Sequence, residues 1–240
     1  MINNSFSGQT IMITGASGNL GSAVTQKFIS SGANLVLIDH SEEKLNRLFP
    51  EIIQSEMHLI AQGVDLNDEV MLDDVVESAM ERFKRIDVLI NTVGGYRGGY
   101  PLYETTDDTW DMLFNLNARS VYNLVKVVAP IMLGAKNGVI INVAARLALK
   151  GSANQTAYSA AKSVVVRLTE GLAGELKYDG INVNCVLPGT IDTPQNRASM
   201  PDADYSRWVT PEAIADVILF LASDAARGIT GASIPVYGRS

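Results

Sequence analysis

A tyrosine and a lysine four residues apart form the pair most able to do chemistry. Tyr158 and Lys162 lie in the segment T-A-Y-S-A-A-K. On a helix, residues at i and i+4 share a face, so the phenol and the ammonium would project into the same space. A free tyrosine has a pKa of about 10, and a neighbouring cation favours the phenolate and lowers that pKa. The spacing therefore predicts a phenol that exchanges a proton with substrate at neutral pH.

A glycine-rich turn follows the first predicted strand, Thr10–Thr14. The segment T-G-A-S-G-N-L-G begins at Thr14 and opens a predicted helix. Glycines permit a tight turn and let backbone N–H groups approach a pyrophosphate at the helix N-terminus. Because strand, turn and helix occur in this order, the segment predicts a dinucleotide-binding turn. The residues predicted to contact the cofactor are Gly15, Ser17, Gly18, Asn19, Leu20 and Gly21.

An aspartate ends the second predicted strand. Asp39 stands eighteen residues beyond Gly21, and His40 and Ser41 follow it, so no Arg or Lys is adjacent. A carboxylate there accepts hydrogen bonds from the adenosine ribose and repels a 2′-phosphate, which favours NAD(H) over NADP(H). Asp65, at the end of the third predicted strand, is expected near the adenine with Leu66, or as a cap of the following helix.

Short β-branched runs alternate with longer amphipathic stretches, the pattern of a parallel sheet covered by helices on both faces. The predicted strands are Thr10–Thr14, Asn34–Asp39, Met57–Asp65, Asp87–Asn91, Gly138–Val143, Asn182–Leu187 and Ser233–Val236. The predicted helices lie near Asn19–Ser31, Glu42–Gln54, Glu69–Phe83, Thr109–Leu133, Ala157–Tyr178 and Pro211–Ala222. The irregular segment of residues 189–209 is a candidate lid over a site.

Composition excludes several classes of function. The 240 residues are 47% hydrophobic and 19% charged, enough for a sizeable core, and the net charge of −7 disfavours nucleic acid and anionic membranes as partners. No apolar run reaches the length of a membrane span, and Met1–Gln9 lacks the pattern of a signal peptide. The single cysteine, Cys185, is expected in the core. Together with the missing span and signal-peptide patterns, this predicts a reduced cytoplasmic setting. His40 and His58 have no metal-like partners, so we predict no metal site.

With these segments in order, the chain resembles the short-chain dehydrogenase/reductase family from end to end. The matching segments are Thr14–Gly21, N-T-V-G at Asn91–Gly94, Y-S-A-A-K, and P-G-T-I-D-T at Pro188–Thr193. The resemblance implies an α/β, single-domain, Rossmann-type doubly wound fold over residues 1–240, with a seven-stranded parallel sheet. It also implies an NAD(H)-dependent oxidoreductase acting on a small molecule, assembled as a homodimer or homotetramer through the two long helices.

The same resemblance implies roles for individual residues. Lys162 would bind the nicotinamide ribose as well as tune Tyr158, and Asn117 would anchor a water leading to Lys162. The turn that begins Pro188–Gly189 would hold the nicotinamide carboxamide through the Ile191 backbone and the Thr193 hydroxyl. Asn91 and Gly94 would lie against the adenosine half of the cofactor.

Two positions depart from the family pattern. Asn19 stands where a small residue is usual, which should shift the turn without abolishing phosphate binding. Thirteen residues before Tyr158, where the family usually has a serine that hydrogen-bonds the substrate carbonyl, the chain has Ala145. Loss of one such donor typically costs about 10²–10³ in rate.

Dihydropteridine reductases are family members that also work without this serine, and the chain is similar to them in two further stretches. These are G-G-Y-R-G-G at Gly94–Gly99 and the lid segment Asp192–Trp208. The similarity implies NADH-dependent reduction of a quinonoid dihydropteridine, a planar heterocycle. Tyr96 would stack on this ring or, alternatively, cover the core as a loop aromatic. Asn196 and Arg197 are candidates for hydrogen bonds to a polar ring edge. Arg146 and Lys150, which flank the alanine site, are candidates for substrate contacts or for pairing with surface acids. Solvated surface positions fit all four better.

Two alternatives stay open. In the first, the protein is a carbonyl or 3-oxoacyl reductase, or an alcohol dehydrogenase, in which Ser152, Asn154 or Gln155 replaces the missing donor. In the second, it is a catalytically silent NAD-binding sensor. The presence of both Tyr158 and Lys162 argues against the sensor.

Overall fold

A computed structural model of the chain describes residues 5–50, 52 and 55–239. Its strands are β1 (Thr10–Thr14), β2 (Asn34–Asp39), β3 (His58–Gln62), β4 (Val88–Asn91), β5 (Gly138–Val143), β6 (Ile181–Pro188) and β7 (Ser233–Val236). They form one parallel sheet in the order β3-β2-β1-β4-β5-β6-β7. The strand order reverses beside β1, which places the crevice for a ligand at the carboxyl ends of β1 and β4. The predicted seven-stranded parallel sheet is confirmed.

Helices cover both faces of the sheet. They are α1 (Asn19–Ser30), α2 (Glu42–Leu48), α3 (Glu69–Phe83), α4 (Asp107–Phe114), α5 (Ser120–Ala135), α6 (Thr156–Leu176), α7 (Pro194–Ser199) and α8 (Pro211–Ala222). Side chains alternate along β1: Met12 packs into the core beneath α3, α5 and α6, whereas Ile11 and Ile13 pack into the core beneath α1 and α8. The fold is the expected doubly wound one. No helix in the described part of the chain is long and apolar enough to cross a membrane.

Two elements end three or more residues before their predicted ends, and other boundaries shift by one or two residues. The third strand was predicted over Met57–Asp65 but ends at Gln62, because Gly63 adopts a left-handed φ of 69° that a strand cannot continue through. Helix α2 was predicted to reach Gln54 but ends at Leu48. Residues 51, 53 and 54 of that prediction lie outside the described part of the chain.

The predicted long helix Thr109–Leu133 is also interrupted. Between α4 and α5, residues Asn115–Arg119 form a wider π-type turn. The buried Asn117 lies at its centre and donates from Nδ2 to the carbonyls of Leu113 and Gly95, both at 2.9 Å. A single π turn inside an α-helix is typical of functional sites, since it redirects one side chain. Here it directs Asn117 toward the loop after β4.

Candidate active site

The glycine-rich turn after β1 is shaped to receive a phosphate. A Cβ on Gly21 would lie 2.0 Å from the carbonyl oxygen of Gly15, so α1 can pack on the turn only with glycine there. Helix α1 carries no acidic residue in its first turn. Among the described residues, no acceptor pairs with the backbone N–H groups of Asn19, Leu20 and Gly21. Unpaired N–H groups at a helix N-terminus fit a pyrophosphate.

Asp39 connects the end of β2 to this turn. Its Oδ2 accepts a hydrogen bond from the Ser17 N–H at 2.7 Å, and its Oδ1 accepts one from the Ser41 N–H at 2.9 Å. The carboxylate also lines a cavity of about 330 Å³ beside the turn, together with Gly15. A carboxylate has about four acceptor sites, so Asp39 retains capacity for ribose hydroxyls.

The cavity contains other predicted residues and several that the sequence did not reveal. Asp65 and Leu66 line it as predicted, but Asp65 does not cap α3, since Asp68 does so and Asp65 accepts from the Asn67 N–H at 2.9 Å. The lining residues that the sequence analysis did not identify are Ile38, His40, Val64, Asn67, Val93, Asn115, Leu116 and Ser120. Their signal was positional, because they lie at or after the carboxyl ends of β2, β3 and β4, in the π-type turn, or at the start of α5.

Two residues expected at the adenosine half lie elsewhere. Asn91 is buried in the sheet, where its Nδ2 donates to Asn142 Oδ1 at 2.8 Å across β4 and β5. Gly94 lies beside the predicted catalytic residues, because a Cβ on Gly94 would come within 2.8 Å of Lys162 Nζ and 2.9 Å of Asn117 Oδ1. Neither residue lines the cavity near Asp39.

Lys162 is held at the carboxyl end of β5. Helix α6 begins at Thr156, so Tyr158 and Lys162 occupy its first two turns, as the spacing predicts. The Lys162 side chain is only 3% exposed, and Nζ donates to the carbonyl of Val143 at 2.8 Å. Burial lowers the pKa of Lys162 to about 8. Its remaining N–H groups make no other hydrogen bond to a described residue.

Tyr158 differs from the prediction in its acidity. Burial, and secondarily the neighbouring Tyr96, raises the pKa of Tyr158 to about 12. The expected lowering by Lys162 is absent in this structure, because the amine is buried, loses charge readily and hydrogen-bonds Val143. The phenol is therefore protonated at neutral pH. Its hydroxyl has no hydrogen-bond partner among the described residues, which leaves it available to a ligand.

Tyr96 and Tyr158 are in direct contact. Their ring centroids are 5.1 Å apart and their planes meet at 81°, an edge-to-face arrangement. Tyr96 is 56% exposed, so it does not cover the core. The structure thus brings the predicted aromatic of the Gly94–Gly99 loop to the predicted catalytic tyrosine.

The candidate lid is held together by contacts within itself. Its two ends are joined by hydrogen bonds from Val209 N to Thr190 O at 3.0 Å and from Asp192 N to Val209 O at 2.8 Å. Arg197 forms a bidentate ion pair with Asp192 at 2.6 and 2.7 Å. Asn196 donates from Nδ2 to the Ile191 carbonyl at 2.8 Å. These side chains stabilise the lid, and no described contact directs them toward Tyr158.

The turn that precedes α7 fits the amide end of a nicotinamide cofactor. Thr193 caps α7 by accepting from the Asn196 N–H at 3.2 Å, and its hydroxyl proton stays available. The N–H of Ile191 has no acceptor among the described residues, although both neighbouring residues pair with Val209. With the open α1 N-terminus and the cavity at Asp39, these groups fit a nicotinamide dinucleotide.

The segment after β5 offers no side-chain donor at the expected position. Ala145 is buried and presents only a methyl group. Arg146 lies over the ring of Tyr237 at 5.2 Å, and not against a surface acid. Asn154 is exposed in a left-handed conformation, with φ 62°, and its carbonyl accepts from the Gly99 N–H at 2.8 Å. Within the described residues, no cluster of His, Cys, Asp and Glu could hold a metal ion.

Comparison with known proteins identifies the family of the chain. Residues 9–204 match the family profile described as short chain dehydrogenase. The chain is 34% identical over 239 residues to the 3-oxoacyl-[acyl-carrier-protein] reductase of Thermotoga maritima, covering 96% of this chain and 97% of that protein. It is 34% identical over 236 residues to the (2S)-[(R)-hydroxy(phenyl)methyl]succinyl-CoA dehydrogenase subunit BbsD of Thauera aromatica, covering 95% and 94%.

Among solved structures, a short-chain dehydrogenase/reductase titled glucose/ribitol dehydrogenase, from Brucella melitensis, superposes with a TM-score of 0.84. The two sequences are 32% identical, and the match covers 98% of this chain and 97% of that one. Fold, site and sequence therefore agree: the chain belongs to the short-chain dehydrogenase/reductase family and is an oxidoreductase that uses a nicotinamide cofactor.

Proposed function

We propose that the protein is an NADH-dependent reductase in which Tyr158 protonates the substrate. The observation that carries this proposal is the Tyr158 hydroxyl, which has no partner among the described residues and precedes the buried Lys162 by one turn of α6 at the carboxyl end of β5. When bound, the reduced nicotinamide supplies a hydride. Tyr158 supplies the proton, and Lys162, whose Nζ lies next to the loop at Gly94, binds the nicotinamide ribose.

The preference for NADH over NADPH rests on Asp39. Its buried carboxylate lies at the end of β2 and lines the cavity predicted to hold the adenosine ribose. A 2′-phosphate there would meet a negative charge with no adjacent Arg or Lys to offset it.

As the specific substrate we propose a quinonoid dihydropteridine. Such a ring is electron-poor and conjugated, so hydride delivery and one protonation can suffice without a donor at Ala145. The half-exposed Tyr96 presents an aromatic surface beside Tyr158, where a flat heterocycle can stack. The similarity of Asp192–Trp208 to the lid of dihydropteridine reductases supports the same substrate.

A carbonyl or 3-oxoacyl reductase is the second candidate. It is favoured by the relatives, which include a 3-oxoacyl-[acyl-carrier-protein] reductase and a succinyl-CoA derivative dehydrogenase. Ser152, Asn154 and Gln155 were proposed from the sequence as substitute donors. Ser152 and Asn154 are exposed, and the Gln155 carbonyl accepts from the Ser159 N–H at 2.9 Å.

One assay separates these candidates. Purified protein is given NADH with quinonoid 6-methyl-dihydropterin, with acetoacetyl-CoA, and with a panel of small ketones, and the direct reduction of the pterin by NADH is subtracted. We expect faster turnover of the pterin. Faster reduction of acetoacetyl-CoA would replace the pterin proposal with the carbonyl one.

The variant Tyr158→Phe tests whether the protein is a catalyst or a silent sensor. Loss of the proton donor should lower kcat by about 10²–10⁴. Because the ring and its contact with Tyr96 remain, the affinity for NADH should change by less than about twofold. Unchanged turnover by Tyr158→Phe would remove Tyr158 from the mechanism.

We also propose assembly as a homodimer or homotetramer through α4, α5 and α6. Trp110, Tyr122 and Leu133 are large apolar residues exposed on α4 and α5. Exposed aromatic residues on neighbouring helices favour association with a second copy. Light scattering on the purified protein would give the mass, and a monomer at micromolar concentration would contradict the assembly. The cytoplasmic setting stays a prediction.

A further inference from the structure

The geometry points to the hydroxyl of Tyr96 as the second hydrogen-bond donor to the substrate, replacing the side-chain donor that is absent at Ala145. This inference rests on the proposed function and adds a catalytic residue to it. In the stacking role proposed above, Tyr96 acts through its aromatic ring. Here the Oη atom of Tyr96 has a separate role as a hydrogen-bond donor.

The Tyr96 hydroxyl lies near the catalytic tyrosine and has no hydrogen-bond partner among the described residues. The ring contacts Tyr158 edge to face, with centroids 5.1 Å apart, so the two phenol rings are direct neighbours. Tyr96 is 56% exposed, and its Oη makes no hydrogen bond to a described residue. A Cβ built on Gly98 would lie 2.9 Å from that Oη and 3.0 Å from the Asn154 carbonyl oxygen. The hydroxyl therefore lies close to the turn that precedes α6.

The second argument is that the loop holds Tyr96 from both sides. Before it, the Gly95 N–H donates to Asn117 Oδ1 at 3.1 Å and the Gly95 carbonyl accepts from Asn117 Nδ2 at 2.9 Å. After it, the Gly99 N–H donates to the Asn154 carbonyl at 2.8 Å. Since Asn117 and Asn154 belong to the elements that frame the site, the loop is fixed to the same framework as Tyr158. A preorganised donor stabilises developing charge far better than a mobile one.

The third argument is the lack of another donor in this segment. Ala145 and its neighbour Ala144 are both buried and carry only methyl groups. Ser152 and Asn154 are exposed on the surface of the turn. Tyr96, by contrast, contacts the ring of Tyr158.

The proposed step keeps its balance of atoms and electrons. NADH gives up a hydride and is oxidised to NAD⁺. In a ketone, the carbonyl carbon gains the hydride and the oxygen takes its proton from Tyr158. In a quinonoid dihydropteridine, one ring nitrogen gains the hydride, the conjugated double bonds shift, and the heteroatom on which negative charge develops takes its proton from Tyr158. Tyr96 keeps its own proton and donates a hydrogen bond to the same heteroatom while negative charge develops on it.

The test compares Tyr96→Phe with Tyr96→Ala in NADH-dependent reduction of the two probes, quinonoid 6-methyl-dihydropterin and acetoacetyl-CoA. Tyr96→Phe keeps the ring and removes only the donor, so kcat should fall by about 10²–10³ while KM changes less than about threefold. Tyr103→Phe is the matched control, because Tyr103 is 87% exposed in the same connection between β4 and α4 and should leave kcat unchanged.

Ala145→Ser supplies the decisive variant. Added to Tyr96→Phe, it supplies a hydroxyl at the position where the family usually has a serine, and we expect kcat to recover at least tenfold. If Tyr96 only stabilised the loop, Ala145→Ser would not restore kcat. The inference is overturned if Tyr96→Phe keeps the wild-type kcat, or if Ala145→Ser gives no recovery while both proteins keep the wild-type Tm. Wild-type protein inactive with both probes would instead contradict the proposed function, and this inference with it.

Discussion

Asn19 and Gln195 are joined across the nucleotide cleft, with Asn19 Nδ2 donating to Gln195 Oε1 at 2.9 Å. Asn19 is the first residue of α1, beside the phosphate-binding turn, and Gln195 is the second residue of α7 in the candidate lid. The family usually has a small residue at the first of these positions. In this chain the longer side chain connects the turn to the lid, and we expect a dinucleotide bound along the turn to lie beneath this hydrogen bond.

We predict that breaking this link speeds release of the cofactor. A single exposed hydrogen bond contributes about 0.5–1.5 kcal/mol, which corresponds to a roughly 2- to 10-fold faster dissociation of NADH from Asn19→Ala. Gln195→Ala should have the same effect, and the double variant should add little, because both remove one interaction. Stopped-flow NADH fluorescence measures the rate. Gln26→Ala, on the exposed face of α1, is the control, and additive effects of the two changes would argue against a shared link.

We expect Asp39 both to set the cofactor preference and to stabilise the fold, and a substitution should reveal both effects. Asp39→Ala with His40→Arg should lower the preference for NADH over NADPH at least tenfold, because the charge that repels a 2′-phosphate is replaced by one that attracts it. The same carboxylate accepts from Ser17 and Ser41, so the change should also reduce the free energy of unfolding by about 2 kcal/mol.

Steady-state kinetics with each cofactor and urea unfolding measure these effects. His40→Arg alone is the control, since it leaves the carboxylate in place and should shift the cofactor preference much less. An unaltered preference in the double variant would mean that Asp39 does not contact the adenosine ribose.

We predict that the site requires glycine at position 94, because a side chain there would collide with its neighbours. The Cβ of Gly94→Ala would come within 3 Å of both Lys162 Nζ and Asn117 Oδ1, so it should displace the amine from its position. We expect kcat/KM to fall at least tenfold. Gly174→Ala is the matched control: Gly174 lies in α6 with no atom within 4 Å of the added methyl group, and alanine there should raise Tm slightly. Equal activity of the two variants would show that Gly94 has no role at the site.

The sequence predicted the framework well because its signals are local. The alternation of strands and helices, the glycine turn and the i, i+4 spacing of Tyr158 and Lys162 depend on neighbours in the chain. It predicted side-chain partners less well, because these depend on residues far along the chain. Asn91 pairs with Asn142 in the next strand, and Arg197 pairs with Asp192 inside the lid.

The acidity of Tyr158 shows the same limit. The spacing places the Lys162 amine on the same helix face as Tyr158 and predicts a lowered pKa for the phenol. In the structure, burial lowers the pKa of Lys162 and raises the pKa of Tyr158. The contact with Tyr96 has no signal in the spacing either, since it depends on how the Gly94–Gly99 loop is anchored at Asn117.

The last prediction concerns stability against pH and follows from Lys162. Its pKa is about 8 in the folded protein and 10.5 in its ordinary range, so between these values the unfolded chain binds more protons than the folded one. Stability must therefore rise with pH across this interval, by up to about 3 kcal/mol, and this contribution is lost as pH falls through 8. Tyr158, with its pKa raised to about 12, acts in the opposite direction only above about pH 10.

Urea unfolding of the cofactor-free protein at pH 7.5, 9 and 10, compared with Lys162→Met, isolates this effect. The methionine variant lacks the titrating amine but fills the same space, so the other ionisable groups contribute equally to both proteins. We expect the stability of the wild-type protein relative to Lys162→Met to increase by about 2 kcal/mol from pH 7.5 to 10. A constant difference would mean that Lys162 is protonated in the folded protein throughout this range, and that its ammonium is stabilised by a charge or a solvent contact near Val143.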